Sequence, residues 1–463
     1  MAYATTNPYT GETIKNFPSA TDAEVALALD RGDAAFGNWK STPIQQRIAI
    51  LQKAADLLRA NSEEYAKLLT LEMGKLLGEA QAEVELSAAI FEYYVENAER
   101  QLAPEQLPSK DPVVTEAWLV HEPLGIILAI EPWNFPYYQI ARIIAPQLAA
   151  GNVVVLKHAS NVPQSAALFE KLMLDAGLPV GGFKNLYATR EQLETIINDP
   201  RVHGVALTGS EGAGAVVAAQ AGKALKKSTM ELGGADAFVV LDDADIDKAV
   251  KWAVFGRHWN AGQVCCSSKR IIVVEEVYDA FLEKYKASVA MLKAGDPMDP
   301  TTTLAPLSSQ SAADDVQKQV EDAIKHGATA TVIGAAMPER GAFVQPVLLT
   351  DLTKDNPAYY WEFFGPVSLV FRAKGESEAI EIANDSPFGL GGSVFTQNIE
   401  RGRRVAAQMS TGMVYINHPT AVKADLPFGG VRRSGYGREL IGLGLKEFVN
   451  HKLIGVTDID GQF

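Results

Sequence analysis

The sequence predicts an α/β protein built on two parallel sheets, and three observations carry that expectation. From Asp22 to about Arg100, apolar residues recur at three- and four-residue spacing, as in "DAEVALALDRGDAAFGNW" and "PIQQRIAILQKAADLLRA". Such spacing places one apolar stripe along a helix. From Leu119 the pattern changes to short apolar runs separated by helical stretches: "GIILAI", Val153–Lys157, Gly204–Leu207 and Ala237–Leu241. Strands that alternate with helices need crossover connections, which give a parallel sheet covered on both faces. A second series follows Arg270, with "IIVVEE", "ATATVI", "VSLVFRA", "GGSVFT" and "GMVYIN" spaced by helices over 314–326 and 399–409. The two series divide near Gly233–Gly234. The tail "HKLIGVTDI" reads as a strand without a partner of its own, a candidate for pairing with a second subunit.

Composition sets limits on partners. The 463 residues are 47% hydrophobic and 21% charged, an ordinary globular balance with room for at least two packed domains. A net charge of −14 disfavours nucleic acid and anionic lipid, and no apolar run approaches the roughly 20 residues needed to cross a bilayer. The amino-terminal stretch lacks the pattern of an export signal, so a cytoplasmic protein with small-molecule partners is expected. Two adjacent cysteines, Cys265 and Cys266, cannot build a disulfide framework, and no histidine or further cysteine stands at zinc-ligand spacing. Reduced thiols and no metal are the expectation.

Four segments bear chemistry. In "NAGQVCCSSKR" a thiol follows a polar, glycine-containing approach; it is either a nucleophile or a small buried filler. "STMELGGADAF" places Glu231 ahead of Gly233 and Gly234, where a desolvated carboxylate serves as a general base and an exposed one serves only solubility. "EPWNFPYYQIAR" brackets Trp133, Asn134 and Phe135 between prolines, offering the Asn134 amide to an oxyanion, or simply two core aromatics. In the helix that follows, Tyr138 and Arg142 share a face at i, i+4, as a carboxylate clamp or as part of a surface salt bridge. "VALTGSEGAG" ends a strand at Gly209–Ser210 and opens a helix whose free amides suit an anion, although its glycine spacing is not that of the dinucleotide fingerprint.

Together with "VVVLKHAS", "EFFGPV" and "PFGGVRRSGYGRE", these segments resemble the aldehyde dehydrogenase superfamily, in the family's order and over nearly the whole chain. Glu231 and Cys265 stand 34 positions apart, as the family's base and nucleophile do. The resemblance implies that Cys265 attacks an aldehyde, that Asn134 and the Cys265 N–H hold the oxyanion, and that Glu231 activates water against the resulting thioester. It also implies a dinucleotide held by Ile130, Trp133, Lys157, Ser160, Gly209, Ser210, Leu232, Glu362 and Phe364. Ser160 replaces the glutamate that many NAD-preferring relatives carry three residues after the lysine, so NADP is expected as the preferred cofactor and NAD as a weaker one.

The chain is most similar to bacterial succinate semialdehyde dehydrogenases, which implies that Arg142, beside Tyr138, binds the substrate's distal carboxylate. Two departures bear on the substrate. Val422 stands near where the family has a carboxylate-binding serine, and Trp259 replaces an arginine found in some members. Another short aldehyde, or a silent binding member of the family, is the alternative. The family's organisation implies a cofactor domain over 1–104 and 126–234, a catalytic domain over 235–435, and an oligomerisation element over 105–125 and 436–463. A homodimer or homotetramer follows from it.

Overall fold

The computed structural model describes residues 3–111 and 113–461. Four helices, Asp22–Trp39, Ile44–Ala60, Ser62–Met73 and Leu77–Leu102, open the chain after a hairpin of Tyr3–Thr6 with Thr13–Phe17. Sequence periodicity locates the helices but not the hairpin, whose strands are short, the first partly buried and the second mostly exposed. A six-stranded sheet follows, in the order Gly435–Tyr436, Lys227–Glu231, Val202–Thr208, Ile126–Glu131, Val153–His158, Phe183–Asn185. All its pairings are parallel except that of Gly435–Tyr436.

The second sheet has seven strands, ordered Thr329–Val332, Val347–Thr350, Val367–Ala373, Arg270–Val274, Ala237–Val240, Gly392–Phe395, Tyr415–Ile416. It is parallel apart from the antiparallel pairing of Thr329–Val332. Helices cover both sheets, and the central strands are buried along nearly all their length, His203 being exposed, as covered parallel strands require. The chain passes from one sheet to the other between Glu231 and Ala237, so the Gly233–Gly234 turn lies at the amino ends of the second sheet's parallel strands and at the carboxyl ends of the six-stranded sheet's. Open parallel sheets bind their ligands at the carboxyl ends.

Two expectations need correction. The tail strand, Val449–Thr457, has a partner in its own chain: it pairs antiparallel with Val114–Pro123, from Val449 opposite Pro123 to Thr457 opposite Val114. Glu105–Gln106 completes this small sheet, leaving the outer edge of the tail strand open, with Leu453 and Val456 exposed. Residues 436–448 do not join it. Gly435–Tyr436 returns to Glu231, and the Ile441–Leu445 helix packs on the Leu77–Leu102 and Pro136–Ala150 helices. Their apolar residues, Leu445 and Phe448 among them, belong to the core of the six-stranded sheet.

A buried ion pair fixes the helix that carries the site. Lys75 and Glu83 are almost wholly buried and paired, and the Lys75 ammonium lies 3.9 Å from the centre of the Phe135 ring. Glu83 also accepts hydrogen bonds from the N–H groups of Tyr137 (2.8 Å) and Tyr138 (3.2 Å), in the first turn of the Pro136–Ala150 helix. A carboxylate there satisfies donors that the helix leaves free and complements its dipole. Glu83→Gln keeps an acceptor but strands the Lys75 charge, which costs about 3–5 kcal/mol. Urea unfolding is expected to show that loss, and adding Lys75→Met to recover most of it.

Candidate active site

Glu231 ends the Lys227–Glu231 strand and is 2% exposed. Backbone bonds fix it from both sides: Gly209 N donates to its carbonyl at 2.9 Å, and Leu232 N donates to the Ser434 carbonyl at 3.0 Å. Ser434 Oγ adds a bond to the Gly233 carbonyl at 2.6 Å. The segment "RRSGYG" therefore acts as the outer support of this strand. Neither carboxylate oxygen of Glu231 has a hydrogen-bond partner among the described residues. Burial pushes its pKa up to about 8, and the nearby Arg142 guanidinium opposes the shift.

The thiol comes from the other domain, on the loop after the Ile246–His258 helix. Asn260 and Ala261 are held with φ of 51° and 53°, and Gly262 follows at 80°, so three successive residues lie in the left-handed region. The Asn260 N–H donates to Glu79 at 2.9 Å, and its side chain donates to the Asn134 carbonyl at 3.0 Å. Asn134 Nδ2 donates in turn to the Gln263 carbonyl at 3.0 Å. These bonds tie "PWNFP" to "NAGQVC" and leave Asn134 a second amide N–H. The backbone N–H of Cys265 has no acceptor among the described residues.

Cys265 is half-buried and Cys266 is buried, both as free thiols. The Cys265 pKa is lowered first by the neighbouring Cys266 thiol; burial opposes this, and the Lys269 ammonium and Arg142 assist it. Cys266 is driven the other way, by Cys265 and by burial, and so stays a neutral packing residue. Cys265, Trp259 and Val422 lie partly buried against one apolar core. Phe135 lies 5.0 Å from Trp259 and 6.2 Å from Tyr138, ring centre to ring centre, so the wall beside the thiol is largely aromatic.

Arg142 is not the open fork that a carboxylate clamp suggests. It is buried, and its Nη1 donates to Tyr138 Oη (2.9 Å), its Nη2 to Thr208 Oγ1 (2.7 Å), and its Nε faces the Glu439 carboxylate in an ion pair. The i, i+4 spacing locates its helix face, but the partner Glu439 lies about 300 residues away in sequence and carries no local signal. Glu131, pushed up to about 8 by burial, is a third carboxylate within reach of this guanidinium.

The residues assigned to a cofactor fall into three groups. Ile130 and Lys157 are paired neighbours at the ends of adjacent strands, with Leu207 on the other side of Ile130, leading to Gly209 and Ser210 at the start of the Glu211–Lys223 helix. Leu232 packs against this helix at Gly214. Trp133, Glu362 and Phe364 line a cavity of about 670 Å³ that reaches Glu211, with the Trp133 and Phe364 rings edge to face at 5.8 Å. Ser160 lines a different cavity, of about 690 Å³, together with Ala4 and Thr6 of the hairpin.

Lys157 makes no ion pair or hydrogen bond among the described residues, and burial, with Arg190 nearby, lowers it to about 8. Its ammonium lies 5.7 Å from the Tyr3 ring. An uncommitted cation at a strand end, an unused serine hydroxyl and a helix amino terminus fit the phosphates and ribose of a dinucleotide.

Sequence reading misses Lys269. Its side chain is fully buried and donates to the carbonyls of Gly234 (2.7 Å), Val264 (2.7 Å) and Cys265 (2.8 Å), and to Glu362 Oε1 (2.8 Å). Its position four residues after the thiol looks like any surface lysine of "SSKR". Gly233 and Gly234 are needed for close approach: a Cβ on the first would meet Glu362 Oε2 at 2.2 Å, and on the second the Cys265 carbonyl at 2.7 Å.

The comparisons with known proteins agree in scope and in kind. The chain is 50% identical over 98% of its length to a succinate-semialdehyde dehydrogenase [NADP(+)] of Deinococcus radiodurans, covering 94% of that protein. It is 46% identical, over 98% of its length and 97% of the relative's, to an enzyme of the same name from Mycolicibacterium paratuberculosis. Among solved structures, succinic semialdehyde dehydrogenase from Streptococcus pyogenes in complex with NADP+ superposes with a TM-score of 0.96 at 47% identity, over 99% of this chain and 100% of that one. The sequence profile of the aldehyde dehydrogenase family matches residues 1–454, and the chain belongs to that family.

Proposed function

We propose that this protein oxidises succinate semialdehyde to succinate, with NADP as the preferred hydride acceptor and NAD as a weaker one. The observation that carries the reaction is the pairing of a half-buried thiol with a partnerless, buried carboxylate at the meeting of two sheets. The Cys265 thiolate adds to the aldehyde carbon, and the oxyanion meets the free N–H of Cys265 and the second N–H of Asn134. The bound dinucleotide supplies the hydride acceptor, and Lys157, Ser160, Gly209, Ser210 and Glu362 would hold it. Loss of hydride leaves a thioester on Cys265. Glu231 takes a proton from water, the water oxygen bonds to the acyl carbon, and the carbon–sulfur bond breaks to release the acid.

The substrate class rests on the named relatives and on Arg142. A substrate carboxylate reaches that guanidinium by exchange, taking an N–H now given to Tyr138 or Glu439. Exchange of one carboxylate for another keeps the buried charge paired, which removing the partner alone would not. Two free cysteines suit the reducing cytoplasm. No helix among the described residues is long and apolar enough to cross a membrane. The open, partly apolar edge of the Val449–Thr457 strand supports assembly as a dimer or tetramer through the small sheet.

Three measurements test this reading. A contact between buried charges is worth about 2–4 kcal/mol, or roughly 30- to 1000-fold, so kcat/KM for succinic semialdehyde should exceed that for butyraldehyde by such a factor. In Arg142→Gln the ratio, which cancels any loss of folded enzyme, should approach unity. Because Glu231 works as the ionised base and its pKa is raised to about 8, hydrolysis of the thioester should rise with pH through that value. Glu231→Gln should slow turnover by about 10²- to 10⁴-fold while keeping a single burst of NADPH. Ser160→Glu sets a like charge against the 2′-phosphate, at a cost of several kcal/mol, and should reverse the NADP-over-NAD preference in direct binding titrations.

A further inference from the structure

The buried ammonium of Lys269 has more acceptors than it can serve. A lysine offers three N–H donors, and the carbonyls of Gly234, Val264 and Cys265 already account for three. Glu362 Oε1, at 2.8 Å, is a fourth acceptor and the only one that bears charge. It also accepts from Gly234 N at 2.9 Å, and its side chain is 21% exposed toward the cavity of Trp133 and Phe364. Of the four, Glu362 alone can leave without stranding a lysine N–H or moving the backbone.

We propose that Lys269 is a positioning residue that transmits the state of Glu362 to the thiol of Cys265. While Glu362 is paired with the ammonium, its negative charge offsets part of the positive field that Lys269 exerts on the sulfur. When the Glu362 carboxylate is taken by other donors, such as the hydroxyls of a bound ribose, three carbonyls keep the ammonium under the Cys265 loop without its counter-charge. The S–H bond then ionises more readily, the proton going to solvent and the electron pair staying on sulfur. The other groups that face this thiol are Cys266 on its own loop, Glu231 and Asp236 on either side of the glycine pair, and Tyr138 and Arg142 on the Pro136–Ala150 helix. None of these contacts the ammonium through a hydrogen bond. This inference rests on Glu362 being a cofactor-facing residue, as the proposed function has it.

The test is the pH dependence of iodoacetamide labelling of Cys265, followed by peptide mass in the intact, cofactor-free protein. Glu362→Gln should lower the labelling midpoint by about one pH unit, or roughly tenfold faster labelling at a pH below it. Lys269→Met should raise the midpoint by a similar amount, and Lys269→Arg should keep it near the wild type. In the double variant, Lys269→Met with Glu362→Gln, the midpoint should stay where Lys269→Met alone puts it. An unmoved midpoint in Glu362→Gln overturns the proposal, as does a Glu362→Gln shift that persists without the lysine. Should Lys269→Met fail to fold, Lys269→Gln takes its place in both arms. NADP binding, measured separately by quenching of protein fluorescence, decides the cofactor reading; its failure leaves the labelling result intact.

Discussion

The structure depends on how closely two backbones approach where the carboxyl ends of one sheet's strands meet the amino ends of the other's. Gly233 and Gly234 leave room for the Cys265 carbonyl and the Glu362 carboxylate where any side chain would collide, and Lys269 fills the space beneath with a single buried charge. A buried ammonium is costly unless it is fully paired. Here the pairing is drawn from three segments that lead into neighbouring strands of the second sheet. The same charge that ties these segments together also acts on the thiol, so the fold and the chemistry share one contact.

Around that contact the carboxylates divide by environment. Glu83 and Glu79 accept backbone N–H bonds and position the segments that carry Asn134 and Cys265. Glu439 is tied to Arg142. Glu231 has both oxygens buried without a hydrogen-bond partner among the described residues, which keeps its proton labile near neutrality. One residue type serves as clamp, as counter-ion and, in the proposed reaction, as base, and the difference lies in what each carboxylate is given to bond.

Much of this was legible in the sequence, and the limits have physical causes. Buried strands such as Val153–His158 announce themselves as apolar runs because both faces are covered. Cys265, Glu231 and Asn134 stand in short, ordered motifs, since each needs a particular backbone turn beside it. The short hairpin before Asp22 and the Phe183–Asn185 strand left no period to read. Long-range pairings were equally silent: Arg142 with Glu439, Lys269 with Glu362, and the tail strand with Val114–Pro123 all join residues whose sequence neighbourhoods say nothing of each other.

The hairpin carries a consequence for how cofactor choice is inherited. Ala4 N donates to the Ser160 carbonyl at 2.9 Å, and the Tyr3 ring lies beside the Lys157 ammonium while its hydroxyl reaches the Ala188 carbonyl at 2.7 Å. The loop and the lysine that would read the 2′-phosphate are thus braced by residues more than 150 positions earlier. On the proposed cofactor reading, the heritable unit of selectivity is a discontinuous pair of segments. A graft that carries the serine loop into a relative without its matching hairpin moves the letters of the site without the frame that gives them their positions.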